Sequence, residues 1–311
     1  MLYNRQMWKP GIKIGPNNWE QNITQSNAEY CEVWFNVTTP QIYQDMFSFL
    51  KKRGVHTGLH FWGTLQDNLM PNIAYPSPNI LNPTINQIKK TIDFAATWGF
   101  FYVNIHIGAS SLERMFFETH ALEPVAGSQV PLEKAEQTSL ETLAILQDYA
   151  DKKNVLLIVE TVPSHNAQNY LDSQARLHNV FPTHALSSFV IEKAAKELGV
   201  AVNNDLSHTG AVLVTESREE LWKFLFDRTQ KLAPYTKLIH SNTMAPPFNG
   251  TDSHDGILDE DFNHNVFPNK TQFTSLLHLF SNRDDVWVVN EPQNKHVENY
   301  NALRAFQSSM R

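Results

Sequence analysis

The sequence predicts an α/β fold in which residues 1–311 form a single domain, a (β/α)8 TIM barrel. Three observations carry that expectation. Short β-branched or aromatic runs recur eight times along the chain, and most are followed by a longer stretch with apolar residues at three- and four-residue spacing. No Pro/Gly/Ser linker or compositional break divides the 311 residues. Hydrophobic residues make up 41 % and charged residues 18 %, which suits one large buried core, and a barrel of this type takes about 250 residues as one domain.

In chain order the strands are expected at Gly11–Gly15, Cys31–Asn36, Val55–Phe61, Phe100–His106, Val155–Glu160, Val200–Asp205, Thr236–His240 and Val286–Glu291. A weakly patterned segment around Asn18–Asn27 follows the first. Helices are expected at Thr39–Lys52, Thr84–Thr97, Leu132–Lys152, Ala185–Leu198, Arg218–Leu232 and Thr271–Leu279, with Val297–Gln307 closing the chain. Gly54, Gly99 and Gly199 stand where helix C-cap glycines belong. A doubly wound sheet is the competing architecture, but no glycine-rich phosphate loop follows the first strand.

Three connections leaving strand C-termini are too long to be simple linkers: Asn68–Pro83, Ile107–Pro131 and Ser241–Lys270. In a barrel these loops converge on the face where catalysis occurs. The net charge of −7 offers no global attraction for nucleic acid or anionic membrane. A single cysteine, Cys31, cannot form an internal disulfide and reads as a core residue. The polar start MLYNRQMWKPG lacks the apolar centre of a signal peptide, so the expected location is the cytoplasm. No apolar run approaches the roughly 18 residues of a membrane span.

The last six strands each end in, or within one residue of, a metal-ligand type: His60, His106, Glu160, Asp205, His240 and Glu291. Histidine and acidic residues are together about 14 % of the chain, so six such ends arise by chance only about 0.004 of the time. Imidazole and carboxylate are the donors that zinc, manganese and iron take, and a carboxylate can bridge two ions. Packed into a narrow barrel mouth, four or more ionisable groups need a metal or a pairing network. Three further candidates lie close by in sequence. His208 follows Asp205 by three residues, where a strand-to-loop turn aims both into the mouth. Asp252 and His254 alternate in GTDSHDG, where an extended segment points both side chains the same way.

These nine residues, in order, resemble the xylose isomerase-like TIM barrel superfamily, and within it most closely the endonuclease IV (AP endonuclease family 2) branch. The resemblance implies a multinuclear metal-dependent phosphoester hydrolase with two or three divalent ions, zinc first, manganese or iron as alternatives. The first ion would lie on His60, His106 and Glu160, the second on Glu160, Asp205, His240 and Glu291, and the third on His208, Asp252 and His254. It also implies Glu160, Glu291 and His208 as the catalytic residues. Such ions neutralise a phosphodiester and activate a water. The same frame resembles the superfamily's sugar isomerases and epimerases, which use one ion on Glu160, Asp205, His240 and Glu291 while glutamates move protons.

Two features depart from the DNA-repair branch. The connection after the second strand, Val37–Gln41, is short and carries no basic or aromatic residues with which to penetrate DNA. On the ligand-bearing face the loops offer only Arg114, Arg176, Lys270 and Lys295 as cations, because Lys51, Lys52, Arg53, Lys152 and Lys153 precede strands and belong to the opposite face. The expected partner is therefore a small phosphorylated or sugar-like substrate, with abasic DNA as the alternative.

Overall fold

The structure is a computed structural model and describes residues 7–118, 121–164, 170–171, 177–178, 184–248, 250 and 253–310. Eight parallel strands close a barrel: β1 Lys9–Ile14, β2 Tyr30–Asn36, β3 His56–Trp62, β4 Tyr102–His106, β5 Leu156–Glu160, β6 Ala201–Asp205, β7 Thr236–His240 and β8 Trp287–Asn290. Consecutive strands are neighbours, and β8 returns to β1 in the register Lys9↔Trp287 to Ile12↔Asn290. All eight strands fall where the pattern of β-branched runs predicts them. Helices cover the outside, and a ring of buried Ile12, Val33, Leu59, Val103, Leu157, Val202, Ile239 and Val288 faces them. Successive residues of each strand point to opposite faces, so the residues between these fall inside the bore.

The helices also follow the apolar spacing, with shifted starts. The segment at Asn18–Asn27 is a helix over Trp19–Ser26. The helix expected from Thr84 begins at Pro78 and runs to Trp98, with Pro83 inside it. Pro83 removes only the bond to the carbonyl of Asn79, an exposed first-turn residue whose oxygen water can reach. The helix expected from Ala185 begins at Ser188.

The long connections are partly built. Ile107–Pro131 contains an antiparallel hairpin, Glu113–Phe116 against Ala121–Pro124. Ser241–Lys270 holds a short helix at Asp259–Asn263 and two isolated bridges, Thr243 with Asp255 and Met244 with Phe267. A second small pair, Tyr170–Leu171 with Leu177–His178, lies in the stretch after β5, for which the sequence offers no pattern.

The bore is filled in layers. At its lower end Tyr102, Ile158, Ala201, Leu238, Trp287 and Val289 form an apolar plug. Above it the filling turns polar with Glu32, Asn104 and Asn203, all fully buried. Gly58 permits this transition. A Cβ there would lie 2.1 Å from Cζ of Tyr102, so only glycine lets that ring cross the bore and place its hydroxyl 2.8 Å from Glu32 Oε2.

Candidate metal centre

The strand ends converge as the sequence predicts. Glu160, Asp205 and His240 are fully buried, His60 is nearly so, and His106 stands at the rim with 52 % of its side chain exposed. Of four groups of ligand atoms whose members lie within 4.8 Å of one another among the described residues, Glu32 with His60 and His240 lies deepest, and three run across the mouth: His60 with His106 and Glu160; Glu160 with Asp205 and His240; and Asp205 with His208 and His254. Of the three at the mouth, Glu160 belongs to the first two and Asp205 to the last two. Glu291 closes the ring, its Oε2 3.1 Å from His240 Nδ1. Eight of the nine expected residues thus meet at one mouth, and the ninth, Asp252, lies outside the described residues.

The turn expected between Asp205 and His208 is a helix N-terminus. Asp205 is the N-cap of the helix Leu206–Ala211, its Oδ1 accepting from the backbone N–H of His208 and from Ser207 Oγ, both at 2.9 Å. Capping occupies one carboxylate oxygen and turns the other, Oδ2, toward His240 Nδ1 at 3.5 Å. The same turn lets His208 Nδ1 meet the carbonyl of Thr161 at 2.8 Å, so Nε2 faces the mouth. The extended run expected of Asp252–His254 is corrected by the structure: His254 has φ +44°, in the left-handed region, so its direction comes from a turn and not from strand alternation. Its Nε2 nevertheless lies 3.1 Å from His208 Nε2, near the roughly 3.4 Å between two nitrogens on one tetrahedral ion.

Two charged residues missed by the strand-end argument sit beneath this ring. Lys13 of β1 and Glu32 of β2 point into the bore at 4 % and 0 % exposure. Lys13 Nζ lies 2.5 Å from Glu32 Oε1, 2.8 Å from Glu291 Oε1 and 2.7 Å from His60 Nδ1. Glu32 in turn meets His60 Nδ1 and His240 Nε2, each at 3.1 Å. Their signal in the sequence is a lone charge inside an apolar run, in GIKIG and YCEVWF. A buried charge of that kind needs a partner, and the two supply each other.

Burial disfavours every charge in this centre; pairing outweighs it for the four carboxylates, Lys13 and His240, whereas burial lowers the His106 pKa to about 4. Glu32 is held well below the usual carboxylate range by Lys13 and His240, and Glu160 by His240 and His60. Asp205 is lowered by His208 and His240, and Glu291 by Lys13 and His240. The three glutamates raise His240 well above the usual histidine range and raise Lys13 as well. Glu160 Oε1 and Glu291 Oε2 are buried and make no hydrogen bond, although histidine nitrogens stand within 3.4 Å. Two orphaned carboxylate oxygens fit a divalent cation, and the mixture of imidazole and carboxylate fits zinc, manganese or iron.

No protein-family model and no curated protein matches the chain. Solved structures do. The chain is similar to a D-tagatose 3-epimerase-like protein at 12 % identity, covering 97 % of this chain and 98 % of that one, with a TM-score of 0.66. It is similar to endonuclease IV from Thermus thermophilus at 12 % identity, with coverage of 96 % and 98 % and a TM-score of 0.58. A xylose isomerase domain protein from Planctomyces limnophilus is 10 % identical, with coverage of 99 % and 98 % and a TM-score of 0.59. Likeness at this identity speaks for architecture alone, and with the closed eight-stranded barrel it makes the fold of this protein an α/β TIM barrel of the same architecture as these structures.

Proposed function

We propose that the protein is a metal-dependent phosphodiester hydrolase acting on a small substrate. One observation carries this reading: the three ligand groups are not separate but share Glu160 and Asp205 as hinges between neighbours. A carboxylate common to adjacent groups is how a multinuclear site holds its ions a few ångströms apart, and such sites suit in-line displacement at phosphorus. The bound ions would supply charge neutralisation and an acidic water. The chain's own contribution is orientation: Asn104 and Asn203 hold Glu160 Oε2 at 2.5 and 2.9 Å, leaving Oε1 for the mouth. Glu291, anchored at Oε1 by Lys13, presents Oε2 as the carboxylate able to take a proton from an attacking water. His208, fixed by Thr161, directs Nε2 toward the space shared with His254.

The charge of the face argues for a small substrate over DNA. Lys270 is paired with Asp259 at 2.5 Å and Lys295 with Glu260, Arg114 is half-buried in the hairpin, and Arg176 lies outside the described residues. Hydrolysis of bis(4-nitrophenyl) phosphate by protein reconstituted with zinc or manganese, and its loss on chelation, is the expected result.

A second reading has its own observation. Glu160 and Glu291 approach His240 Nδ1 from opposite strands at 3.4 and 3.1 Å with Asp205 Oδ2 at 3.5 Å, a compact four-residue set that suits one ion and two proton-moving glutamates in a sugar isomerase or epimerase. Solvent deuterium exchange into a ketose, with no diester cleavage under any divalent ion, would establish that reading in place of the first.

A further inference from the structure

Beside the ligand ring lies a cavity of about 360 Å³, within the usual size of small-ligand sites. His60, His106 and His208 form the wall it shares with the candidate metal centre. The rest is apolar in character. Trp34 and Trp62 supply flat faces, the hairpin adds Met115 and Leu122, and Ile73 and Val162 complete the lining. Among the described residues no lysine or arginine lines it.

Its polar groups are mostly spent. Asn72 uses its amide nitrogen on the carbonyls of Ala109 and Ser111 and its oxygen on the N–H groups of Ala74 and Ala109. Thr84 donates to Ile80 and accepts from Asn72. Among the described residues the Ser111 hydroxyl, 3 % exposed and without a partner, and the Glu113 carboxyl, whose protonated form is favoured by burial, remain beside the indole N–H groups. A sugar would bring several hydroxyls to a surface with few partners for them, and each one left unmet would cost the desolvation of a polar group. Among the described lining residues a phosphate would meet no lysine or arginine and would have a carboxyl as neighbour.

We propose that this cavity holds an aromatic group of the substrate, next to the polar head that the ligand ring receives. The inference rests on the reading of the ring as the reactive centre, and it makes the substrate class an aryl ester or an aryl-bearing compound in place of a bare sugar or a nucleic acid backbone. Stacking on Trp34 or Trp62 and burial among the aliphatic side chains provide the affinity, and Ser111 is available to one polar substituent.

Two probes test it without turnover. Calorimetric titration of the zinc-loaded protein with phenylphosphonate and methylphosphonate compares the same dianion with and without a ring. Burial of the ring should tighten binding about tenfold or more. Saturation-transfer NMR with benzyl alcohol reads the cavity without any charged head, and so reports even where no phosphonate binds and the metal-centre reading fails. Trp62→Ala and Met115→Gln, both away from the ligand ring, should each reduce the phenyl preference and the benzyl alcohol signal. Equal affinities for the two phosphonates would overturn the proposal, as would a benzyl alcohol signal that is absent or that both variants leave unchanged.

Discussion

Lys13 Nζ lies 2.7 Å from His60 Nδ1, across 47 residues of sequence and from two strands that are not neighbours in the barrel. An ammonium is only a donor, so this contact requires a lone pair on Nδ1 and a proton on Nε2. Nε2 is the atom facing Glu160 Oε2 at 3.5 Å, where the first ion would bind. A metal-bound histidine ordinarily donates its other N–H to a carboxylate, and Glu32 Oε1 stands ready at 3.1 Å from the same Nδ1. Lys13 and an ion in the first group therefore favour opposite tautomers of His60.

Lys13→Met should expose that competition. With the ammonium gone, Glu32 and Glu291 lose their shared cation, and the chelated protein should be destabilised by about 3–5 kcal/mol, the usual result of stripping one partner from a buried ion pair. A divalent ion should bind the variant more tightly and restore part of the loss, because binding to the folded state alone adds stability by mass action. Urea unfolding with chelator and with zinc, for both proteins, measures each effect. A variant equally stable in chelator, or one that binds zinc more weakly, would contradict this role for Lys13.

The Gly58–Tyr102 approach predicts a non-additive pair. Tyr102→Phe removes the donor to Glu32 Oε2 and should cost about 1–3 kcal/mol, the penalty of an under-satisfied buried acceptor. Gly58→Ala drives a methyl into the ring and should cost at least as much through overpacking. In a Tyr102→Ala background the methyl has room, so Gly58→Ala should cost clearly less there than alone. Equal costs in the two backgrounds, read from denaturant midpoints, would mean that the ring does not depend on the glycine.

How much of this was legible in the sequence follows from how each feature is encoded. The eight strands repeat a β-branched or aromatic run, the last six of them ending at or beside His, Asp or Glu, and repetition is what a single sequence displays well. Lys13 and Glu32 do not repeat. Each is one charge inside one strand, and only closure of the barrel, joining β1 to β8, brings Lys13 to Glu291. The apolar cavity is likewise hidden, because Trp34, Trp62, Ile73, Met115 and Val162 come from separate connections and strand ends and share no spacing. The hairpin at Glu113–Phe116 also eluded sequence reading, since its closing turn carries no Asn-Gly or Asp-Gly signal.

Metal uptake should release protons. His240 is held protonated in the metal-free protein by Glu160, Glu32 and Glu291 against the effect of burial, and a ligand must be neutral. For stability the sign is set by the raised value: the contribution of His240 is fully present below about pH 6.5, its unfolded range, and is lost as pH rises through its folded pKa. The carboxylates act oppositely, contributing above about pH 4.5 and losing that contribution as pH falls through their lowered folded values. Chelated protein should therefore gain most from this network between about pH 4.5 and 6.5. Zinc titrations at pH 7 in buffers of different ionisation enthalpy should report a net proton release, and a buffer-independent heat would count against a protonated His240.

Glu160→Ala should reduce metal content more than any other single ligand change, because Glu160 belongs to both the His60–His106 group and the Asp205–His240 group. His254→Ala, by contrast, touches only the group at the far edge of the mouth and should leave ions bound at the other two. Elemental analysis of the two variants separates them. Equal losses would mean that the groups do not act as connected sites.

Duplex DNA containing an abasic site should bind weakly and with a shallow dependence on salt. Tight association with DNA comes from releasing counterions, and a protein making about 6–10 phosphate contacts loses roughly 10³–10⁵ in affinity between 50 and 200 mM salt. The loops at this mouth have few cations to offer, and Lys270 and Lys295 are already engaged by Asp259 and Glu260. The short connection after β2 leads straight into a 3₁₀ turn at Pro40–Tyr43. Breaking the pairs should reverse the trend: Asp259→Asn with Glu260→Gln frees both lysines and should steepen the salt slope by about two contacts. Fluorescence anisotropy across salt concentrations tests both parts. Nanomolar affinity with a steep slope in the unmodified protein would overturn the small-substrate reading and make DNA the partner.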